Sequence, residues 1–142
     1  MIYHFRIHND IDGFWAECIE LPGCMTQADS LKKLHINSKE VLDLYLDEPE
    51  NSRIVFPLPD ESIEESDAVI GVKADSAVAF AFYLRMIRLN HKLTQRDAAK
   101  MLHFKNLYSY QRLESSKKAN PELKTLEKIR EVFPEFDLNL VV

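Results

Sequence analysis

The sequence predicts an α+β chain made of two small domains, an N-terminal ββ(β)αβ domain over residues 1–73 and an all-helical domain over residues 76–142 that ends in a short strand. Three observations predict it. Apolar residues recur every second position near the N-terminus and shift to helical spacing after Ala74. Residues 93–114, LTQRDAAKMLHFKNLYSYQRLE, read as two short helices joined by a tight turn. Charge also divides: residues 1–70 hold 5 Lys/Arg against 15 Asp/Glu, a net −10, whereas residues 71–142 hold 13 against 8, a net +5. A basic half suits a polyanion, and an acidic half suits a basic protein partner.

In residues 1–8, Tyr3, Phe5 and Ile7 share one face and His4, Arg6 and His8 the other, which predicts a strand with one face in a core. Asn9, Asp10, Asp12 and Gly13 form a turn into a second strand, from Phe14 to about Leu21. Pro22 and Gly23 end that strand, and a short extended piece over residues 24–27 returns along the sheet. Asp29 or Ser30 then caps a helix to Leu46 whose stripe of Leu31, Leu34, Val41, Leu42, Tyr45 and Leu46 is expected to cover one sheet face. Residues 47–67, with Pro49, Pro57, Pro59 and many carboxylates, predict a loop, in which Ile54, Val55 and Phe56 clip against the sheet. Residues 68–73, AVIGVK, are β-branched and suit a last strand.

Asp75 or Ser76 opens a helix with Ala77, Phe80, Leu84 and Ile87 on one face and Arg85 and Arg88 opposite. The two-helix pair follows. Asn120 and Pro121 signal a helix through Leu123, Leu126, Ile129 and Val132 that Pro134 stops. Residues 136–142 alternate Phe136, Leu138, Leu140 and Val142 with other residues and read as a strand. A lone strand there needs a partner, either the N-terminal sheet or the same strand of a second copy, and a dimer would supply one.

The composition, 46% hydrophobic and 29% charged, is ordinary globular material. The longest apolar run, residues 77–84, falls far short of the roughly 20 residues that span a bilayer. Met1 leads into a strand pattern rather than a signal peptide, so the chain is expected to be soluble and cytoplasmic. Cys18 and Cys24 match neither a redox pair nor a zinc clamp in spacing.

The two-helix pair is where DNA contact is expected. Thr94 caps its first helix and Gln95 opens it, both placed for phosphates, while Ala98 and Ala99 are small enough for a second helix to cross closely. That second helix, expected from Lys105 to Glu114, carries Lys105, Asn106, Tyr108, Ser109 and Gln111. Asn106 and Tyr108 are the candidates for base edges, with Gln111 behind them; Lys105, Lys117 and Lys118 are the candidates for phosphates. Arg112 is expected to pair inside the domain with Glu114 or Asp97.

Beyond these readings, LPGCMTQADSLKKL, residues 21–34, resembles the strand-to-helix segment of HicB-type antitoxins, and the hairpin before it and the helix after it match in order and size. LTQRDAAKML, YSYQRLE and ANPELKTL are similar to the XRE-type helix-turn-helix of one branch of that family. Two departures stand out: Ala28 occupies a position where many members have glycine, and the turn and second helix are one residue longer than usual. The resemblance implies a trimmed ribonuclease H-like N-terminal domain without nuclease chemistry. It also implies a partner, the small basic HicA-type toxin that cleaves mRNA, and autorepression of the operon as a dimer or higher assembly. Toxin contact is expected on the hairpin and the strand-to-helix segment, with Tyr3 and Trp15 as aromatic anchors and Asp10, Asp12, Glu17, Glu20 and Asp29 as an acidic rim.

An enzyme would need converging carboxylates, but Asp10 and Asp12 fall in a turn and no distant carboxylate completes a two-metal cage with Glu17 and Glu20. Neither a phosphate loop nor a nucleophile beside a base is visible. The expectation is a binding module with no catalytic residues, no metal and no cofactor. The rival reading is a stand-alone repressor whose N-terminal domain senses a ligand or a protein.

Overall fold

A computed structural model describes residues 1–50 and 52–142. The chain forms two compact units, residues 1–46 with 56–75 and residues 47–55 with 76–142.

The first unit is a four-stranded antiparallel sheet with one helix. Its strands are β1 (Ile2–Asp10), β2 (Gly13–Cys18), β3 (Met25–Ala28) and β4 (Val69–Lys73), in the order β3-β2-β1-β4. β1 and β2 form a hairpin that pairs Phe5 with Cys18 and His8 with Trp15. A Cβ on Gly13 would lie 2.5 Å from the Ala28 carbonyl oxygen, so the edge of the hairpin closes on β3 only because that residue has no side chain. Leu21, Pro22, Gly23 and Cys24 form a turn closed by Cys24 N–H on Leu21 O at 3.0 Å, with Gly23 at φ +87° as a type II turn requires.

Helix α1 (Leu31–Leu46) packs on β2, β3 and β4. Ser30 caps it by accepting from Lys33 N–H at 3.2 Å, which leaves Asp29 outside the cap. Its buried row is Leu34, Ser38, Leu42 and Leu46, an i, i+4 stripe, whereas Leu31 is half out in solvent. Tyr3, Phe5 and Ala16 are fully buried on the strands, and each large side chain so removed from water stabilises the fold by roughly 1.5–3 kcal/mol.

The second unit is built around α2 (Ser76–Asn90), in which every residue from Ala79 to Arg88 is buried. Arg85 and Arg88 are therefore not on a solvent face as helical periodicity predicts. Arg85 lies over the Phe82 ring and reaches the Ile54 carbonyl at 3.4 Å, and desolvation lowers its pKa. Residues 47–55 cluster with this unit, so Ile54 and Val55 go with the helices and not, as expected, with the sheet; Phe56 stays with the first unit, against Tyr45.

The expected C-terminal strand is a correction too. After α5 (Leu123–Val132), residues 138–141 form a short helix, α6 (Leu138–Val141), because Asp137 accepts from Asn139 N–H at 2.9 Å and caps a helical turn. Phe136 is buried against Phe80 and Tyr83 before the turn starts. With no strand there, the expectation of a strand-paired dimer loses its basis.

Candidate nucleic-acid interface

Helices α3 (Gln95–Met101) and α4 (Leu107–Gln111) form the crossing pair. Thr94 starts α3 through a reciprocal capping box: its hydroxyl accepts from Asp97 N–H and the Asp97 carboxylate accepts from Thr94 N–H, both at 3.0 Å. The backbone and side-chain bonds to Thr94 hold the Asp97 carboxyl below its ordinary pKa. Ala98 and Ala99 are buried and let α4 approach, and the chain reverses through His103 at φ +58°. Phe104 N–H on Ala99 O at 2.9 Å fixes the turn.

The second helix is shorter than residues 105–114. It begins at Leu107 and passes at Arg112 into a 3₁₀ turn (Arg112–Glu114). Asn106 is its cap: Oδ1 accepts from Ser109 N–H and from the Ser109 hydroxyl, both at 2.9 Å. Two of the candidates thus hold the helix start: the Asn106 carbonyl and the Ser109 hydroxyl are engaged there, and Asn106 itself is exposed.

A buried polar cluster locks the pair. Glu114 takes Arg88 in a two-point contact, Nε at 2.6 Å and Nη2 at 3.0 Å, and also accepts from the Tyr110 hydroxyl at 2.5 Å and from Gln95 Nε2 at 3.0 Å. Burial opposes the Arg88 charge, but the hydrogen bond and charge of Glu114 carry its pKa above the usual arginine value. Burial, then the Glu114 charge, raises the Tyr110 hydroxyl. Gln111 donates to Gln95 Oε1 at 3.2 Å, so these two candidates are joined side chain to side chain and held by Glu114.

Tyr108 is 57% exposed at the start of α4, and Lys118 stands over its ring, Nζ 5.5 Å from the centroid. Lys105 and Lys117 are exposed as expected. Arg112 is exposed and, among the described residues, in no ion pair, which overturns its expected pairing with Glu114 or Asp97. The exposed Arg96 is a further cation that the sequence did not single out.

In the sheet unit the predicted toxin contacts separate. Tyr3 is fully buried with its hydroxyl on the Pro57 carbonyl at 2.8 Å, so it belongs to the core. Glu20 accepts from His4 N–H at 3.0 Å, meets His4 Nδ1 at 2.6 Å and accepts from Asp60 N–H at 3.3 Å, so it is an internal acceptor rather than rim. Trp15 is half-buried and stacks on His8 with centroids 4.0 Å apart, and Glu17 meets His8 Nε2 at 3.1 Å on the same face. Asp10, Asp12 and Asp29 are brought together around one hollow at the hairpin end, with Lys33 and Asn37. Ile11, between the first two, is 96% exposed, an apolar tip the sequence did not single out. Among the described residues no group of three or more His, Cys, Asp or Glu is placed to hold a metal ion, and no helix is long and apolar enough to cross a membrane.

A family model described as helix-turn-helix matches residues 84–138. This segment is an XRE-type helix-turn-helix. The match points to DNA binding in transcription regulation, and α4 is the second helix of the motif, the position from which such motifs read the major groove. The match begins within α2 and takes in Arg88, Glu114 and both glutamines, so the locked cluster lies inside the motif. No curated protein matches the chain.

Proposed function

We propose that this chain is a HicB-type antitoxin. Its helix-turn-helix represses its own operon, and its sheet unit, a trimmed ribonuclease H-like domain, neutralises a small basic HicA-type toxin that cleaves mRNA. The observation that carries the reading is the pairing, in one chain, of a DNA-binding motif with a sheet unit in a half of net charge −10. A ribonuclease must present a basic surface to phosphates, and an acidic domain occupies that surface as a competitor.

Support at the level of residues lies at the hairpin end, where Asp10, Asp12 and Asp29 surround one hollow and Ile11 projects. Trp15 and Glu17, on the strand face beside His8, extend that surface. The sheet unit acts by binding rather than by catalysis: Glu17 and Glu20 are each engaged with a histidine, and the three aspartates sit at the end of the sheet. Such a protein works in the cytoplasm, where its operon and its target are.

The test is co-purification of the full chain with the product of the neighbouring small open reading frame. A tight complex, weakened by Asp10→Asn together with Asp12→Asn, and relief of growth arrest by the intact chain are expected. No complex, with DNA binding intact, would replace this reading with that of a stand-alone repressor.

A further inference from the structure

We propose that Cys18 and Cys24 are a reversible oxidation site: hydrogen peroxide joins them in an intramolecular disulfide that locks the turn between β2 and β3. Their spacing along the chain matches no redox pair, and it is the sheet that brings them together. The β2–β3 register pairs Ala16 with Thr26 and Glu17 with Met25, so the next step of the ladder sets Cys18 opposite Cys24. Cys18 N–H on Cys24 O at 2.8 Å carries the ladder to that step. Residues directly opposite in an antiparallel pair point to one face, with Cα atoms about 4.5–5.5 Å apart, inside the roughly 4.4–6.8 Å that a disulfide spans. Both side chains are buried, and the two thiols hydrogen-bond each other.

The surroundings divide the work between them. The hydrogen bond from Cys18 lowers the pKa of Cys24 against the effect of burial, so Cys24 ionises first and is the nucleophile. The same bond, then burial and the Glu20 charge, raises Cys18, which stays protonated until it attacks. Glu20 Oε2 stands 3.5 Å from Cys18 Sγ and accepts from it. Cys24 follows the exposed Pro22 and Gly23 in a turn closed by its own N–H on Leu21 O, so opening that one turn admits an oxidant little larger than water.

The Cys24 thiolate attacks hydrogen peroxide: an S–O bond forms, the O–O bond breaks, and hydroxide leaves with the proton that Cys24 gave up, as water. Cys18 then attacks the Cys24 sulfur. The S–S bond forms, the S–O bond breaks, and the leaving hydroxide takes the Cys18 proton by way of Glu20, as a second water. Two thiols are oxidised and one peroxide is reduced, and a thiol reductant reverses the bond. Neither a toxin nor DNA is needed for the bond to form, so its test is independent of the antitoxin reading.

The full-length chain is treated with hydrogen peroxide and then cut, without reductant, by a protease that cleaves after glutamate. Glu20 lies between the cysteines, so the two fragments stay joined when the bond is present and separate after dithiothreitol. Loss of both free thiols and joined fragments are expected. Urea unfolding followed by fluorescence of Trp15, the single tryptophan of the chain and part of β2, should show the unfolding constant of the sheet unit lowered by roughly 50-fold, as closing so short a loop implies. Dithiothreitol should restore the parent value, which separates the disulfide from methionine oxidation. Cys18→Ser and Cys24→Ser, each leaving one thiol, should show no peroxide-dependent shift. Thiols still free once the half-exposed Met25 is oxidised, disulfides between chains instead of within one, or a joined pair with unchanged or lowered stability would overturn the proposal.

Discussion

Glu114→Ala is the substitution from which the helical unit has most to lose. The Glu114 side chain is 1% exposed and that of Arg88 is 7% exposed, so removing the carboxylate leaves a buried guanidinium that keeps its bond to the Leu93 carbonyl but, among the described residues, no ion pair. Breaking a buried pair in this way costs about 3–5 kcal/mol. Tyr110 loses its acceptor as well, and a buried hydroxyl left unsatisfied adds about 1–3 kcal/mol. Gln95, half-buried, can turn to water and adds little. The sum is about 4 kcal/mol or more, against a total stability of about 5–15 kcal/mol for a domain. Urea denaturation followed by far-UV circular dichroism should therefore show the helical unit largely unfolded, or with a midpoint far below the parent. The double variant Arg88→Met/Glu114→Leu removes both charges and should recover most of the loss, since apolar replacement of a buried pair is close to neutral. A loss below about 1 kcal/mol for Glu114→Ala, the range of exposed pairs, would refute the reasoning and mean that water reaches the pair.

Asn106→Ala should lower the stability of the helical unit by about 1 kcal/mol and weaken binding to all DNA sequences alike, because it removes a cap rather than a base contact; comparison of cognate and random duplexes by fluorescence anisotropy checks it. Lys118→Ala should reduce the slope of log affinity against log salt by about 0.9, measured on the same duplexes, if that lysine neutralises one phosphate. Gly13→Ala should lower the urea midpoint of the sheet unit, because the new Cβ would sit 2.5 Å from the Ala28 carbonyl oxygen; an unchanged midpoint would show that β3 gives way freely. Asp97 has a pKa below its unfolded value, so its contribution to the α3 cap is complete above the ordinary aspartate pKa and is lost as pH falls through the lower folded value. Asp97→Asn should flatten that acid-side decline in thermal melts.

Much of the frame was legible. Alternation in β1, the i, i+4 row of α1 and the threonine cap followed by paired alanines each reflect a local rule, and the structure follows them. The misses came where partners lie far away in sequence. Tyr3 lies on the apolar face of β1 and also reads as a contact anchor, and its hydroxyl partner, Pro57, which decides for the core, is far along the chain; Glu20 reads as rim, but it closes the His4 and Asp60 backbone. Arginine is rarely buried, so helical spacing put Arg88 outside, and nothing in the local pattern pointed to Glu114, 26 residues on. At Asn106 a signal was present: asparagine is among the best helix caps, and reading it so would have started α4 at Leu107. The C-terminal run failed because strand and helix patterns are not distinguishable over so few apolar positions, and Asp137 as a cap decides for the helix.

The measurement that tests the central claim most directly is inhibition of the neighbouring open reading frame's product in an RNA-cleavage assay with purified components. The account predicts that this product cleaves mRNA and that the full-length chain stops it as the two are titrated together, with Asp10→Asn/Asp12→Asn requiring more protein for the same effect. Cleavage that continues undiminished in an excess of the folded, DNA-binding chain would contradict it.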